Sequence, residues 1–406
     1  MKILQVNQFY YPRGGADKYF LDLTKNLEAA GHQVAVFSMH HPKNWPTLWS
    51  RYFVSRISFN EGNLIDKLKT PGRVLYSLEA KKKFTRLVRD FQPDIIHLHN
   101  IYHHLSPSIL SVSQKYKIPV VLHLQDYKLI CANHTLFTKG MMCERCRPNK
   151  YYECLKNRCI KNSFAGSALG TLEMYWHHSI LKIYEQNVSW FIAPSNFMKE
   201  IVVNFGHPAE KISVIFNPYN SELAGTRGDE KNNRSPEYLL YFGRFSPEKG
   251  LETLIRAAAL TGQKTKLVGE GAEEAALKKL ATELRAPVEF SGFKNNQELK
   301  PIIVNARAVI IPSIWGENMP LSLMEALSLG KIVIVSRIGG MPEVIKENKN
   351  GLLFQPGDVN DLVRQIKRLT EIDRLAIGRE AKKTVEAFSP DQNIKEVLAL
   401  YQKLLK

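Results

Sequence analysis

No apolar run in this sequence is long enough to cross a bilayer. The opening residues, MKILQVNQFYYP, have neither a basic start nor an apolar stretch of leader length, so no secretory signal is expected. The chain is therefore expected to stay in the cytoplasm, or to lie peripherally on the inner face of a membrane. Cysteine is missing outside one short window: all five lie between Cys131 and Cys159. That clustering argues against disulfides spread over a secreted fold and for one local site. Acidic residues are few, 39 against 56 Lys and Arg, for a net charge of +17. The shortfall is uneven: residues 1–217 hold 28 basic and 15 acidic residues, and residues 218–406 hold 28 and 24. A basic first half suits an acidic partner (anionic lipid, a phosphorylated acceptor, nucleic acid), or is a plain solvated surface.

What is present is an alternation of strand and helix patterns, in a chain long enough for two domains. KILQV (2–6) and VAVFSM (34–39) read as buried strands around an amphipathic helix over 16–30. YSLEAKKKFTRLVRDF puts Leu78, Phe84, Leu87, Val88 and Phe91 on one helical stripe. DIIHLH, VVLHL, WFIA and KISVIF are further strands, with one long helix over about 165–187 and another opened by Ser195. Residues 217–236 are polar and turn-rich and read as a linker. The alternation then restarts with YLLYFG, KTKLVG, VEFSG, AVIIPS and IVIVS. The fold class is therefore α/β, two doubly wound Rossmann-like domains facing across a cleft. The predicted boundaries are 1–217 and 218–390, with a last helix over 391–406 placed to pack back on the first domain. Residues 40–72 and 127–164 fit no βα unit and read as insertions.

Ligands of such sheets bind beyond the carboxyl ends of the strands. There GENMPLSLMEAL places Glu317 in a strand-end loop and Glu325 inside an otherwise apolar helix, with Pro320 read as its first turn. A lone carboxylate in an apolar setting calls for a partner, and a pair of ribose hydroxyls satisfies it. Glu317 is placed to accept from a second polyol, such as a sugar ring. The plainer reading makes Glu325 an edge charge and Glu317 a loop charge. YFGRFSPEKG sets Arg244 and Lys249 in one strand-end loop, where two cations neutralise a diphosphate without a metal. LVGEGAEE adds Gly269 and Gly271, a weak Gly-x-Gly signal in the right place. YYPRGGADKY places Gly14 and Gly15 at a helix N-terminus, where backbone N–H groups can approach a phosphate.

Taken together, GG (14–15), DIIHLH (94–99), APSNF (193–197), GRFSPEKG (243–250), GEG (269–271), GENMPLSLMEAL (316–327), GGMPEVI (339–345) and GLLFQPGD (351–358) resemble the retaining glycosyltransferases of family 4. The resemblance implies a GT-B fold and a nucleotide-sugar donor, UDP- or GDP-linked. It implies that Arg244 and Lys249 hold the diphosphate and that Glu325 binds the ribose. Glu317, with main-chain groups near Asn318 and Met319, would hold the transferred sugar, and Gly14 and Gly15 would line the phosphate and acceptor side. No catalytic divalent metal is expected. The implied setting is capsule, O-antigen or exopolysaccharide biosynthesis. One motif departs from the pattern: relatives often read T-L-H-D where this chain has HLQD, His123 to Asp126. Gln125 can bond a sugar hydroxyl but cannot relay a proton. His123 falls on the same strand face as Gln125 and is the candidate substitute beside Asp126.

CERCRPNKYYECLKNRC offers Cys143, Cys146, Cys154 and Cys159 as ligands for a structural zinc, with Cys131 and His134 as alternates. Reduced packing thiols and local disulfides are the other two readings. The resemblance adds mild support, since a similar insertion occurs in relatives that build surface polysaccharides. The basic first half, and the stretch HPKNWPTLWSRYFVSR with Trp45, Trp49, Tyr52, Phe53, Arg51 and Arg56, suit a glycan or lipid-diphosphate-linked acceptor at an anionic membrane surface. The same stretch is equally compatible with packing on its own domain. The rival functions are a sugar-nucleotide epimerase on the same fold, and a basic zinc-containing nucleic-acid-binding protein. The second leaves the glutamate helix unexplained, and no nucleic acid is expected.

Overall fold

A computed structural model describes residues 1–57, 71–219 and 238–406. Most of the expected linker, and residues 58–70 of the 40–72 insertion, lie outside the described residues.

The first six-stranded sheet has the order β2-β1-β3-β4-β7-β8 and is parallel throughout. Its strands are β1 (Lys2–Val6), β2 (Gln33–Phe37), β3 (Ile95–Leu98), β4 (Val120–His123), β7 (Trp190–Ala193) and β8 (Ile212–Val214). Between β4 and β7 an insertion carries a two-strand antiparallel ribbon, β5 (Phe137–Thr138) and β6 (Met141–Met142). The second sheet has the order β11-β10-β9-β12-β13-β14, again parallel. It comprises β9 (Tyr238–Phe242), β10 (Thr265–Val268), β11 (Val288–Phe290), β12 (Ala306–Ile311), β13 (Val333–Ser336) and β14 (Leu352–Phe354). Apart from the edge strands β8 and β11, near-continuous burial along these strands is what a sheet covered on both faces requires. Strand order reverses between β1 and β3 in one sheet and between β9 and β12 in the other, which makes two switch-point crevices. Two such domains facing each other form the GT-B fold.

The helix Pro390–Leu405 leaves the second domain and packs on the first. Val397, Leu400 and Tyr401 are buried against Ile3, Leu23, Leu27 and Val121. Each such side chain contributes roughly 1.5–3 kcal/mol when fully buried. The chain crosses between domains twice, side by side: Tyr219 N donates to Phe388 O (2.8 Å), and Asn393 Nδ2 donates to Phe216 O (2.8 Å).

One expectation is corrected, and of the two readings of the aromatic insertion the structure favours packing on its own domain. The stretch 165–187 is not one helix. An α-helix over Phe164–Met174 loosens into a π-helical turn over Tyr175–Ile180, and Lys182 adopts a left-handed conformation (φ 45°) before Ile183–Asn187. The aromatic insertion is turned inward. Tyr52 and Phe53 are buried, Trp49 meets the Phe91 ring edge-on at 5.1 Å, and Trp45 packs on Tyr10. Tyr52 and Phe53 therefore belong to the core of their own domain, while Trp45 and Trp49 are half-buried.

Candidate active site

The two switch-point crevices open toward each other. From the second domain, the loop after β9 brings Lys249 and the loop after β12 brings Glu317. Lys249 Nζ lies 2.7 Å from Glu317 Oε2, and both side chains are largely withdrawn from solvent. The second oxygen, Glu317 Oε1, accepts from Ser313 Oγ. A partly buried, doubly bonded carboxylate of this kind is a positioned group, because moving it leaves charge without partners.

The loop that carries Glu317 is fixed from several sides. Gly340 N donates to Glu317 O (2.7 Å). Any Cβ at Gly340 would sit 1.9 Å from Asn318 O, and one at Gly339, whose φ is +69°, 2.2 Å from Glu317 O. Only glycine permits that approach. The first domain holds the same loop: Tyr127 O–H donates to Gly316 O, Trp315 Nε1 donates to Thr135 O, and Ser195 Oγ donates to Asn318 Oδ1 (3.1 Å). Nearby, Glu343 accepts from Asn196 N (2.8 Å) and Phe197 N (2.7 Å), at the start of the helix Asn196–Asn204. A carboxylate there meets the positive end of the helix.

A cavity of about 980 Å³ lies between the domains. Glu317, Asn318, Met319 and Glu325 form one wall, and Gly15, Lys18 and Gln125 belong to the other. Glu325 sits in the helix Leu321–Ser328, whose Leu323, Met324, Ala326 and Leu327 are buried. Pro320 precedes this helix rather than opening its first turn (ψ 133°). Across the gap, a Cβ on Gly15 would stand 3.7 Å from Leu321 Cδ1, and nothing lies within 4 Å of one on Gly14. The Gly14–Gly15 loop is anchored by Asn7, whose Nδ2 donates to Phe9 O and Asp17 Oδ1 (2.9 Å each).

Other candidate residues lie elsewhere. Arg244 is 70 % exposed, 3.2 Å from Glu248, and is not in the cavity wall. Gly269 and Gly271 are placed by backbone crowding: a Cβ would come 1.9 Å from Gly243 O at Gly269 and 2.0 Å from Phe245 O at Gly271. They fit the three strand-end loops together. His123 does not reach the cavity. It is buried beneath Tyr19, with ring centroids 4.6 Å apart, and beside His97 and His99. Burial drives its pKa down to about 3, so it is neutral at ordinary pH. The expected alternation of residues 123 and 125 fails because Gln125 N turns back onto His123 O (3.0 Å). Gln125 therefore faces the cleft, while Asp126 faces a separate cavity, accepting from Tyr102 O–H and from Lys128 N (2.8 Å).

Cys143, Cys146, Cys154 and Cys159 line one small cavity in the insertion, and Cys131 joins them. His134 does not; it lies at the cavity that holds Asp126. Hydrogen bonding from Cys154 lowers the Cys159 thiol to about 6 and pushes that of Cys154 up.

Several wall residues escaped the sequence reading. Lys18 and Lys25 reach the cleft from the helix Gly15–Ala29, and Trp315 and Asn217 complete it. Lys18, one turn beyond the glycine pair, carried a usable signal; Asn217 owes its place to the domain crossover.

The family model for Glycosyltransferase Family 4 matches residues 13–223, more than half the chain, and that for Glycosyl transferases group 1 matches residues 226–387. A Klebsiella pneumoniae protein described as an uncharacterized 42.6 kDa protein in the cps region is 27% identical over 381 residues, covering 89% of this chain and 91% of that one. The amylovoran biosynthesis glycosyltransferase AmsK of Erwinia amylovora is 28% identical over 219 residues, covering 50% of this chain and 53% of that one. Among solved structures, Anabaena HepE in complex with UDP-glucose aligns with a TM-score of 0.65 at 19% identity, covering 99% of this chain and 100% of that one, a likeness of fold. Nothing in these comparisons supports an epimerase or a nucleic-acid-binding protein. The chain belongs to glycosyltransferase family 4.

Proposed function

We propose that this glycosyltransferase moves a sugar from a UDP- or GDP-sugar to a glycan or lipid-linked acceptor during assembly of a capsule, O-antigen or exopolysaccharide. The observation that carries the reading is that Glu317, held by Lys249, and Glu325 line one interdomain cavity. The relatives' printed names, with amylovoran and a cps region among them, and UDP-glucose in the Anabaena structure, support it. In this reading the ribose hydroxyls donate to Glu325 and the transferred sugar donates to Glu317. Lys249 faces the diphosphate, and Arg244 swings from Glu248 to join it. Transfer retains configuration. The anomeric C–O bond to the diphosphate breaks, the acceptor oxygen bonds to the same face, and its proton passes to a diphosphate oxygen. Charge on the leaving group is met by protein cations rather than by a divalent metal.

A panel of UDP-, GDP- and ADP-sugars, scored by thermal stabilisation, tests this directly. One nucleotide series raises Tm, and Glu325→Ala weakens its binding by about ten- to a hundredfold, the worth of a charge-assisted hydrogen-bond pair. If no nucleotide sugar shifts Tm, the reading is wrong.

A structural zinc held by Cys143, Cys146, Cys154 and Cys159 is supported by the gathering of these thiols, one of them acidified, around a single cavity. Bound there, it would brace the segment whose Tyr127 and Thr135 hold the Glu317 loop. Metal analysis of chelator-free reduced protein should find close to one zinc per chain; its clean absence would reject the site.

No helix among the described residues is long and apolar enough to cross a membrane. With the aromatic insertion packed inward, peripheral attachment to the inner face rests on charge. Lys82, Arg86 and Arg89 form an exposed row on the helix Leu78–Phe91. Sedimentation with anionic vesicles, lost at high salt, is the expected behaviour; no binding at any salt would end that reading.

A further inference from the structure

Three histidines lie together beneath the cleft, and the transfer chemistry proposed above leaves them without a role. His97 and His99 alternate along β3 and so face one side of the sheet. His97 pairs with Val121 on β4, which brings His123, two residues further on, to the same face beside His99. All three are at most 2% exposed. Their ring centres are 4.5, 5.7 and 5.8 Å apart. One nitrogen from each ring lies within 4.8 Å of the other two.

Each ring presents a nitrogen that no protein group satisfies. His97 Nε2, His99 Nδ1 and both nitrogens of His123 are buried without a well-formed hydrogen bond among the described residues. Burying such atoms unpaired costs stability, and here they are gathered in one place. Two of the opposite nitrogens, by contrast, are held. Gln5 Nε2 donates to the Tyr401 hydroxyl (3.3 Å), which turns Gln5 Oε1 toward His99 Nε2 (2.9 Å). His99 Nε2 therefore carries the hydrogen, leaving Nδ1 with its lone pair. His97 Nδ1 meets the same Tyr401 hydroxyl. An imidazole fixed through one nitrogen by an oxygen, with the other left for a ligand, is the arrangement that metal-binding histidines adopt. Burial also keeps the rings neutral, the form that ligates.

We propose that His97, His99 and His123 form a structural site for one divalent transition-metal ion of the zinc, cobalt or nickel kind. Three imidazoles that share one tetrahedral ion at about 2.0–2.1 Å hold their ring centres about 5 Å apart, close to the spacing here. The ring planes lie within 25° of one another, so each ring turns about its terminal torsion to aim a nitrogen, a soft motion for histidine. Imidazole nitrogens suit these ions, whereas magnesium and calcium call for oxygen ligands. The fourth position is left for water or for Asn217, which neighbours His123 and whose Oδ1 has no hydrogen-bond partner among the described residues. Asn217 and Gln125 line the cleft, which gives the ion its way in. A bound ion ties β3 and β4 to both domain crossings: Asn217 stands at the first, and Tyr401 lies on the helix that follows the second.

The site is separate from the cysteine cluster and stands whether or not the transfer reading does. Having no anionic ligand, it binds more weakly than four thiolates and fills only on added ion. Without the ion, the three rings are free to titrate with acid. The test is titration of metal-free, tag-free, reduced protein with cobalt(II) chloride. Thiolate ligation announces itself by charge-transfer absorption, so ions on cysteine and on histidine are counted separately, whichever site fills first. The expected result is one cobalt per chain with nitrogen and oxygen ligands only, together with a rise in Tm as that site fills. Tyr401→Phe, which keeps the ring and removes the hydroxyl, weakens this binding by about 10–100-fold, and His123→Leu weakens it further. The Tm of each metal-free variant checks that it folds. X-ray absorption on the wild type needs no variant and should show imidazole shells around this cobalt. Absence of a thiolate-free cobalt, or one bound equally well by both variants, as an ion on exposed histidines would be, overturns the site.

Discussion

Lys249→Ala is expected to lower kcat/KM by about 10²–10³-fold and to reduce stability at the same time. The ammonium lies 2.7 Å from the Glu317 carboxylate, which lines the cleft. Removing it takes away a preorganised charge from the side where the diphosphate leaves, worth about 3–4 kcal/mol in comparable sites. It also leaves Glu317, only 6% exposed, without its counter-charge. The Ser313 hydrogen bond remains, so the stability cost is about 1–3 kcal/mol rather than that of a fully orphaned ion. Glu317→Gln separates the two effects. It keeps the shape of the side chain and its contact with Ser313 and frees Lys249, so turnover falls while nucleotide affinity holds. Steady-state kinetics and Tm on the same preparations decide the matter. Wild-type kcat/KM in Lys249→Ala would remove this residue from the mechanism.

Acid should destabilise the first domain well above the range in which carboxylates titrate. His97, His99 and His123 lie buried side by side beneath the cleft, with stacked rings. His99 Nε2 meets Gln5 Oε1 (2.9 Å) and His97 Nδ1 meets the Tyr401 hydroxyl. Neither ring nitrogen of His123 has a well-formed hydrogen bond among the described residues, and Asn217 is the polar side chain that approaches it. Burial lowers all three pKa values, that of His123 to about 3. The unfolded chain, with ordinary histidines near 6.5, takes up protons first as pH falls. Stability from these groups is therefore complete above about pH 7 and is lost as pH drops below 6.5 toward their folded values. Between pH 7.5 and 5.5 each loses about 1.4 kcal/mol, or about 4 kcal/mol for the three. Urea midpoints across that window report it. His123→Leu removes one of these rings and should reduce the loss across that window by about 1.4 kcal/mol. A pH-independent midpoint would mean that these rings are solvated or protonated in the native state.

The strand pattern of this chain was easy to read because parallel strands buried on both faces leave unbroken apolar runs, as in YLLYF at β9 and VIVS at β13. β14 went unread, although β8 and β11, equally three residues long, were found. The break at Lys182 was hidden because a π-helical turn keeps the residue composition of a helix. At the site, the spacing of Glu317 and Glu325 could be seen in sequence because one helix start separates them, and both face the same cavity. Arg244 shows the limit. A long side chain in an exposed loop takes whichever carboxylate is nearest, here Glu248, and its sequence position says nothing of that choice. His123 shows another, since one turn hydrogen bond at Gln125 ended the alternation that put both on one face. The inward packing of Trp49 and Phe53 depended on partners, Phe91 and Tyr10, that are distant along the chain.

The central claim is that a sugar nucleotide occupies the interdomain cavity in a fixed orientation, and a structure of the complex with the donor chosen by the panel tests it most directly. The account predicts ribose hydroxyls within hydrogen-bonding distance of Glu325, diphosphate oxygens beside Lys249, and the sugar ring against Glu317. A nucleotide bound outside this cavity, or inside it with the ribose turned away from Glu325 and the diphosphate away from Lys249, would contradict the account.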